Sequence, residues 1–224
     1  MSEVEPSPSS HPEELPSATP SARFERLPDA SVVASTAQHL EANGFRVIVA
    51  SSGTEARAAV EKLLPNGAEV FDSTSVTLDS TGISRMIQES GKYRPLRPTL
   101  LRLRAEGKKF EQRRLGSSPD FVVGSVHAIT ESGQVVVASG SGSQLAPYAF
   151  GAEHVVWVVG TQKIVRDLDE AFRRIYDYAL PKESERVRAA YGIPGSSVSK
   201  LLIMNREFDA ERITVVLVNE RLGY

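Results

Sequence analysis

The 224-residue chain contains no cysteine. Without a thiolate it can form no disulfide, no cysteine-ligated zinc site and no iron–sulfur cluster, and it has no cysteine nucleophile. Histidine is also scarce. The four histidines, at positions 11, 39, 127 and 154, do not fall at the i, i+4 spacing of a helical metal-binding motif. We therefore expect no metal site in this chain.

Long apolar runs are lacking as well. The longest, residues 154–159 and 213–218, have the length of a strand, whereas a membrane-spanning helix needs about 20 apolar residues. The first residues have neither the basic start and apolar stretch of a secretory signal nor the arginines of a transit peptide. The sequence therefore predicts a cytoplasmic protein that does not enter a membrane.

Charge is distributed unevenly along the chain, whose formal net charge is −2. Residues 1–22 hold six serines, five prolines, four glutamates and no lysine or arginine. Such a segment buries too little apolar surface to fold. We predict a disordered tail over residues 1–27 and a single α/β domain over residues 28–224. Within that domain, residues 92–114 hold nine basic and two acidic residues, a local net charge of +7.

From Pro28 onward, periodicity and punctuation predict alternating helices and strands. We expect helices at 28–43, 52–64, 78–89, 99–115, 168–179 and 182–191, and strands at 45–50, 68–71, 121–129, 134–138, 154–159, 201–204 and 213–218. Strands separated by helices indicate a mostly parallel sheet covered on both faces. The turn at Glu131–Gly133 predicts an added β-hairpin.

Three sequence patterns occur in a characteristic order. They are AITExG within residues 128–133, GxxKIVxDLxxA over residues 160–171, and a closing LG at residues 222–223. In this combination the chain resembles the LUD (lactate utilisation) domain family from about Ala30 onward. In place of the asparagine- and arginine-containing loop of many small members, this chain has Ser139–Gln144.

The resemblance implies a three-layer α/β sandwich, similar to ribose-phosphate isomerases, glucosamine-phosphate deaminases and coenzyme A transferases. It also implies an accessory role in lactate or organic-acid utilisation, beside oxidoreductase subunits that carry iron–sulfur clusters. Since this chain has no cysteine, any cluster must belong to such a partner. The expected ligand is a small organic acid or a phosphate-bearing metabolite. The oligomeric state, including a homo-oligomer, stays open.

Two residues are candidates for catalysis. Thr130–Gly133 resembles the turn in which related coenzyme A transferases place a nucleophilic glutamate, so Glu131 could serve as nucleophile. The alternative is an ordinary hairpin turn with a solvated Glu131. His127, on the predicted strand that precedes this turn, could act as acid or base, or could be a structural histidine.

Further candidates lie in loops that follow strands and would bind a small anion. A helix start offers free N–H groups, glycine-rich loops permit close approach to the backbone, and lysine suits a carboxylate or phosphate. The ligand-binding candidates are Ser51, Ser52, Gly53, Thr54, Thr130, Gly133, Gly140, Ser141, Gly142 and Lys163. Each could also be an ordinary feature of a βα connection.

Three functions remain open at this point. The first is a small-anion-binding accessory component, and the second is an autonomous transferase- or isomerase-like enzyme that uses Glu131. The third is an interaction or nucleic-acid-binding module that uses the basic segment 92–114. Nucleic acid is disfavoured because that segment has only two aromatic residues, Tyr93 and Phe110.

Overall fold

The computed structural model describes residues 21–224. The strands are β1 (Arg46–Ala50), β2 (Glu69–Asp72), β3 (Arg94–Pro95), β4 (Phe121–Gly124), β5 (Ala128–Thr130), β6 (Val135–Ser139), β7 (His154–Gly160), β8 (Ile164–Val165), β9 (Lys200–Met204) and β10 (Ile213–Val218). The α-helices are α1 (Ala30–Ala42), α2 (Gly53–Leu63), α3 (Val76–Ser80), α4 (Ile83–Glu89), α5 (Arg97–Ala105), α6 (Lys109–Ser117), α7 (Leu168–Arg174) and α8 (Leu180–Tyr191). None of the helices in residues 21–224 is long and apolar enough to cross a bilayer.

The larger sheet has the strand order β1-β10-β7-β4-β2-β3, and every pairing in it is parallel. In β7, Val155 and Trp157 face α1 and α5, whereas Val156 and Val158 face α2 and α4. Burial on both faces explains why β7 and β10 are apolar at almost every position. This arrangement confirms the predicted α/β class with a mostly parallel sheet.

The smaller sheet has the strand order β8-β5-β6-β9 and mixed pairing. β5 and β6 form the predicted antiparallel hairpin. Ile129 and Val137 pack into the same apolar cluster as the α1 side of the large sheet, whereas Ala128 and Val136 pack against α7. The small sheet thus lies between the large sheet and α7.

Two of the links between the sheets are short and leave the large sheet at the same edge. β4 continues into β5 through residues 125–127, and β7 continues into β8 through a short 3-10 helix, Thr161–Lys163. Both links leave from carboxyl ends of parallel strands, the edge where open α/β proteins bind ligands. The chain therefore places Ser125, His127 and Lys163 at that edge.

Several boundaries differ from the sequence prediction. The expected helix 78–89 is the pair α3 and α4, and the expected strand 121–129 is divided into β4 and β5, which belong to different sheets. The expected basic helix 99–115 is instead the pair α5 and α6, because Gly107 adopts a positive φ of 73° that ends the first helix. The predicted tail to residue 27 ends sooner, since Ala22–Glu25 forms a 3-10 helix and Phe24 is buried against Tyr178. The predicted disorder of residues 1–20 lies outside the described residues.

Candidate functional site

Lys163 is fully buried at the junction of the two sheets, although a βα turn would ordinarily leave a lysine in solvent. Its Nζ donates to Thr77 Oγ1, Ser125 Oγ and the Val126 carbonyl, each at 3.1 Å. The Thr77 hydroxyl itself donates to the Leu222 carbonyl. All three Nζ protons therefore have acceptors within the chain, and the Lys163 ammonium is held in one position.

The charge state of Lys163 follows from these bonds. Burial, and then the positive charge of Arg174, lower the pKa of Lys163 well below its usual value. The Ser125 hydroxyl donates to the Val158 carbonyl (2.7 Å), so both hydroxyls can only accept from Nζ. Three acceptors match an ammonium, which has three protons to donate. We therefore treat Lys163 as a buried cation whose donors are all in use.

Arg174, at the end of α7, is the second buried cation. Its side chain is fully inaccessible, and Nη1 donates to the His127 carbonyl. Within residues 21–224, Nε and Nη2 have no hydrogen-bond partner. Burial lowers the pKa of Arg174 to about 10, so the guanidinium remains charged at neutral pH. Lys163 and Arg174 bind consecutive carbonyls, those of Val126 and His127.

His127 lies between these two cations and is partly exposed. Burial of the ring, together with the charges of Lys163 and Arg174, lowers the pKa of His127 to about 3. The imidazole is therefore neutral at pH 7. Because Nδ1 accepts from the Ala138 N–H (3.1 Å), the ring proton lies on Nε2.

No acid balances this group of cations within the described part of the chain. The ion pairs of residues 21–224 all involve other cations, and none includes Lys163 or Arg174. The buried acid Asp72 accepts from Gln88 and lies 3.5 Å from Arg97. Uncompensated buried charge is costly, which makes Lys163 and Arg174 the candidate site of this chain.

The predicted anion site at Ser51–Thr54 is filled by the chain itself. The Gly53 N–H donates to a Glu220 carboxylate oxygen (2.9 Å), and the Ser51 N–H donates to Glu55 (2.8 Å). The predicted capping bond is present, since the Glu55 N–H donates to Ser52 Oγ (3.3 Å). These two carboxylates occupy donors that a phosphate would need.

The Glu131 turn lies away from the cations. Its backbone contacts the C-terminal half of α1, where His39 Nδ1 lies 2.6 Å from the Glu131 carbonyl. α1 leads into the start of β1, which is the opposite edge of the large sheet from Lys163. His127 and Glu131 are separated by four residues of extended chain, about 13 Å. The structure therefore does not bring Glu131 to the other candidates.

The glycine and threonine of this turn have structural partners. Gly133 has φ of +81°, and a Cβ there would lie 2.8 Å from Asn43 Nδ2. Thr130 Oγ1 accepts from the Gln134 N–H and contacts Ser132 Oγ. These contacts support the interpretation of Thr130–Gly133 as a hairpin turn packed on α1.

The glycine-rich loop lies at the His127 end of the small sheet, because it follows Ala138 directly. Ser139 Oγ accepts from the Gly142 N–H (2.8 Å), and Ser141 Oγ donates to Ser143 Oγ (3.1 Å). Gly140 and Ser141 are exposed. Gly140 and Gly142 adjoin Ser197 and Lys200, so within residues 21–224 the loop is linked to His127 only through the Ala138 N–H that precedes it.

Arg174 was missed from the sequence, although a signal for it exists. Ala171, Ile175 and Tyr178 form the apolar stripe of this helix, and Arg174 lies on the same stripe. A charged residue on the buried face of an amphipathic helix needs a partner. Thr77 and Ser125 carried no comparable signal, since they meet Lys163 only through tertiary structure.

Comparison with known proteins gives one family. The family model of the LUD domain matches residues 33–218. A crystal structure of a DUF162 family protein from Deinococcus radiodurans is similar over 87% of this chain and 100% of that chain, with a TM-score of 0.55 and 14% identity. The match to a crystal structure of eIF2B beta from Chaetomium thermophilum covers 53% of this chain and 44% of that chain, with a TM-score of 0.35 and 11% identity. No curated protein matches the sequence.

Proposed function

The chain belongs to the LUD domain family, and we propose that it is a small-anion-binding accessory component of lactate or related organic-acid utilisation. The observation that carries this proposal is the pair of buried cations, Lys163 and Arg174, which no acid in residues 21–224 neutralises. A bound anion would remove the cost of this buried charge. The location at the carboxyl edge of a parallel sheet agrees with a ligand site.

The accessory role rests on the composition of the chain. With no cysteine, this polypeptide cannot ligate an iron–sulfur cluster through thiolates. In oxidation of an organic acid, the electrons would therefore pass through partner subunits that carry such clusters. The proposal assigns ligand binding to this chain and electron transfer to the partners.

Thermal-shift measurements test the binding proposal directly. The full chain is heated with L-lactate, pyruvate, inorganic phosphate, a sugar phosphate or a coenzyme A ester, at constant ionic strength. We expect at least one of these anions to raise the melting temperature, because a ligand that binds only the folded state stabilises it. No shift with any of the five contradicts the proposal.

A second test addresses the partners. Native purification of the tagged chain from its own cells, followed by iron and sulfide analysis, should recover an iron–sulfur protein. Recovery of the chain alone, fully active in organic-acid oxidation, would contradict the accessory role.

The basic helices favour a docking role for the same accessory component. α5 buries only Leu100, and α6 buries no side chain. Phe110 is 69% exposed and Leu101 is 58% exposed within this positively charged surface. Helices of nine residues depend on packing for their stability, so we propose that an acidic surface of the partner subunit covers them.

Charge reversal tests this docking surface. Lys109→Glu combined with Arg113→Glu should abolish co-purification of the iron–sulfur partner, whereas reversal of the exposed Arg173 on α7 should not. Unchanged co-purification would refute the docking role. The docking role would also be refuted if the double variant lost binding to nucleic acid or to anionic vesicles but still co-purified with the iron–sulfur partner.

A further inference from the structure

Residues 219–224, which follow β10, form a strap across the carboxyl edge of the large sheet. The strap includes the LG pattern at residues 222–223 and has no regular secondary structure. Within residues 21–224, no backbone group of residues 221–224 is hydrogen-bonded to another backbone group. Side chains of other elements hold this segment instead. The strap can therefore leave the edge without the loss of any strand pairing.

The inner contacts of the strap are acceptors bound to donors of the edge. A Glu220 carboxylate oxygen accepts from the Gly53 N–H (2.9 Å). The Leu222 carbonyl accepts from Thr77 Oγ1 (3.2 Å) and from Gln162 Nε2 (2.9 Å). Backbone N–H, hydroxyl and amide groups are donors that a bound anion would also use. The strap thus occupies this edge in the way that an anion would.

Two of these donors adjoin the buried cation Lys163. The Thr77 hydroxyl accepts from Lys163 Nζ (3.1 Å) while it donates to Leu222. Gln162 precedes Lys163 in the short 3-10 helix and is 2% exposed, and its Oε1 has no hydrogen-bond partner within residues 21–224. Leu222 is 6% exposed and packs in the apolar cluster of α2 and α4. Departure of the strap would therefore vacate the volume of Leu222 and free donors beside Lys163.

We propose that the strap is an internal competitor of the ligand, because in the closed state it occupies donors that an incoming anion takes over. These donors are the groups of Gly53, Thr77 and Gln162. This inference rests on the proposed anion-binding function and adds the donors of the site and the device that controls access to it. No covalent bond is made or broken. The strap accounts for the burial of Lys163 in a site that has to admit a ligand.

A glycine of the strap offers a variant that opens it. Gly223 has φ of +59°, and a Cβ there would lie 2.5 Å from Thr77 Oγ1 and 2.9 Å from the Thr77 backbone nitrogen. Gly223→Ala should therefore displace the strap from Thr77. The matched control is Gly192→Ala, because Gly192 has φ of +67° but a Cβ there would meet no non-neighbouring atom of residues 21–224 within 4 Å. The control reproduces the backbone strain without the collision.

Two measurements on the full chain use these variants. The first is the rate at which acetic anhydride acetylates Lys163, followed by mass spectrometry of the peptide. The second is calorimetric titration with inorganic phosphate, L-lactate and pyruvate. We expect Gly223→Ala to raise the acetylation rate, and the affinity for at least one of these anions, about tenfold, because a closed strap lowers the apparent affinity by the fraction of open molecules. Gly192→Ala should match the wild type in both measurements.

The outcomes separate the strap from the proposed function. A Lys163 acetylation rate in Gly223→Ala within about twofold of the wild type overturns the strap, and so does an unchanged affinity for an anion that binds. Equal changes in Gly192→Ala would assign the effect to backbone strain and also overturn the strap. If neither the wild type nor Gly223→Ala binds any of the three anions, the anion-binding function itself fails, whatever the acetylation rate.

Hydrogen exchange in the wild type covers the case in which Gly223→Ala does not fold. Without ligand, the amides of residues 220–224 should exchange faster than those of β10. Saturation with phosphate, L-lactate or pyruvate, whichever raises the melting temperature, should accelerate exchange in the strap further and leave β10 unchanged. Unchanged or slower exchange of the strap with the anion bound overturns the proposal without any variant.

Discussion

The last residues of β7 and the three residues that follow it are equally buried, but the former are apolar and the latter are polar or charged. Val158 and Val159 have no exposed surface, and Gln162 and Lys163 have at most 2%. Burial of the valines stabilises the fold through the removal of apolar area from water. Burial of Lys163 costs free energy and requires three hydrogen bonds to be tolerated. Equal burial thus stabilises the fold before Gly160 and costs free energy after it.

The largest expected effect is in the apolar half of this comparison. Trp157 is fully buried and packs edge-on against Tyr148, with ring centres 5.4 Å apart. Trp157→Ala should lower the free energy of unfolding by about 3–5 kcal/mol, measured by urea denaturation. Phe150→Ala, at a position 90% exposed, should change it by less than about 0.5 kcal/mol. Equal losses of unfolding free energy in the two variants would contradict the stabilising role assigned to the buried apolar residues of β7.

The next effect concerns His127 and is a pH dependence. In the folded chain the pKa of His127 is lowered to about 3, whereas unfolded histidine titrates near 6.5. The unfolded state therefore takes up a proton first, and stability falls as pH decreases from 6.5 toward 3. Between pH 6.5 and 5 the loss should be about 1.4 kcal/mol per pH unit at its steepest. His127→Asn should flatten this slope, and urea denaturation at several pH values measures it.

A smaller effect of opposite sign is expected at Arg174. Without ligand, its charge is buried and not neutralised within residues 21–224. Arg174→Met should therefore raise the free energy of unfolding by about 1–2 kcal/mol, since apolar replacement of buried charge is often stabilising. The urea midpoint would move upward at constant slope. A decrease in stability would mean that Arg174 is a structural residue.

The smallest effect concerns the N-terminal 3-10 helix. Glu25 accepts from Tyr178 Oη and pairs with Lys182 and Arg221. The hydrogen bond from Lys182, first among several causes, lowers the pKa of Glu25, so its contribution is present above the unfolded pKa and is lost as pH falls through the lower, folded pKa. Glu25→Gln should lower the free energy of unfolding at pH 7 by about 0.5–1 kcal/mol. Thermal unfolding at pH 7 and pH 3 should show this difference only at the higher pH.

Much of the fold follows from local patterns in the sequence. The apolar runs 154–159 and 213–218 predicted β7 and β10, two neighbouring interior strands of the large sheet, and the Ser52–Glu55 spacing predicted the start of α2. The pairing of β10 between β1 and β7 did not follow, because strand order depends on contacts between residues far apart in sequence. The break at Gly107 depends on a single backbone angle.

The candidate site was predictable only in part. Lys163 could be placed at the carboxyl edge of the sheet from its position after a strand, but its burial depends on Thr77 and Ser125, which lie on other elements. Glu131 was proposed from the resemblance of its turn to an enzyme motif. The structure instead places that turn against α1, a contact that no local pattern indicates.

The position of β10 also sets the order in which the chain can fold during synthesis. β1, at residues 46–50, pairs with β10, at residues 213–218, and β10 in turn pairs with β7. On the ribosome, β1 therefore has to wait for about 160 further residues before its neighbour emerges. Contacts so distant in sequence form slowly, and the unpaired strand stays exposed meanwhile. We expect the large sheet to close only after β10 has left the exit tunnel.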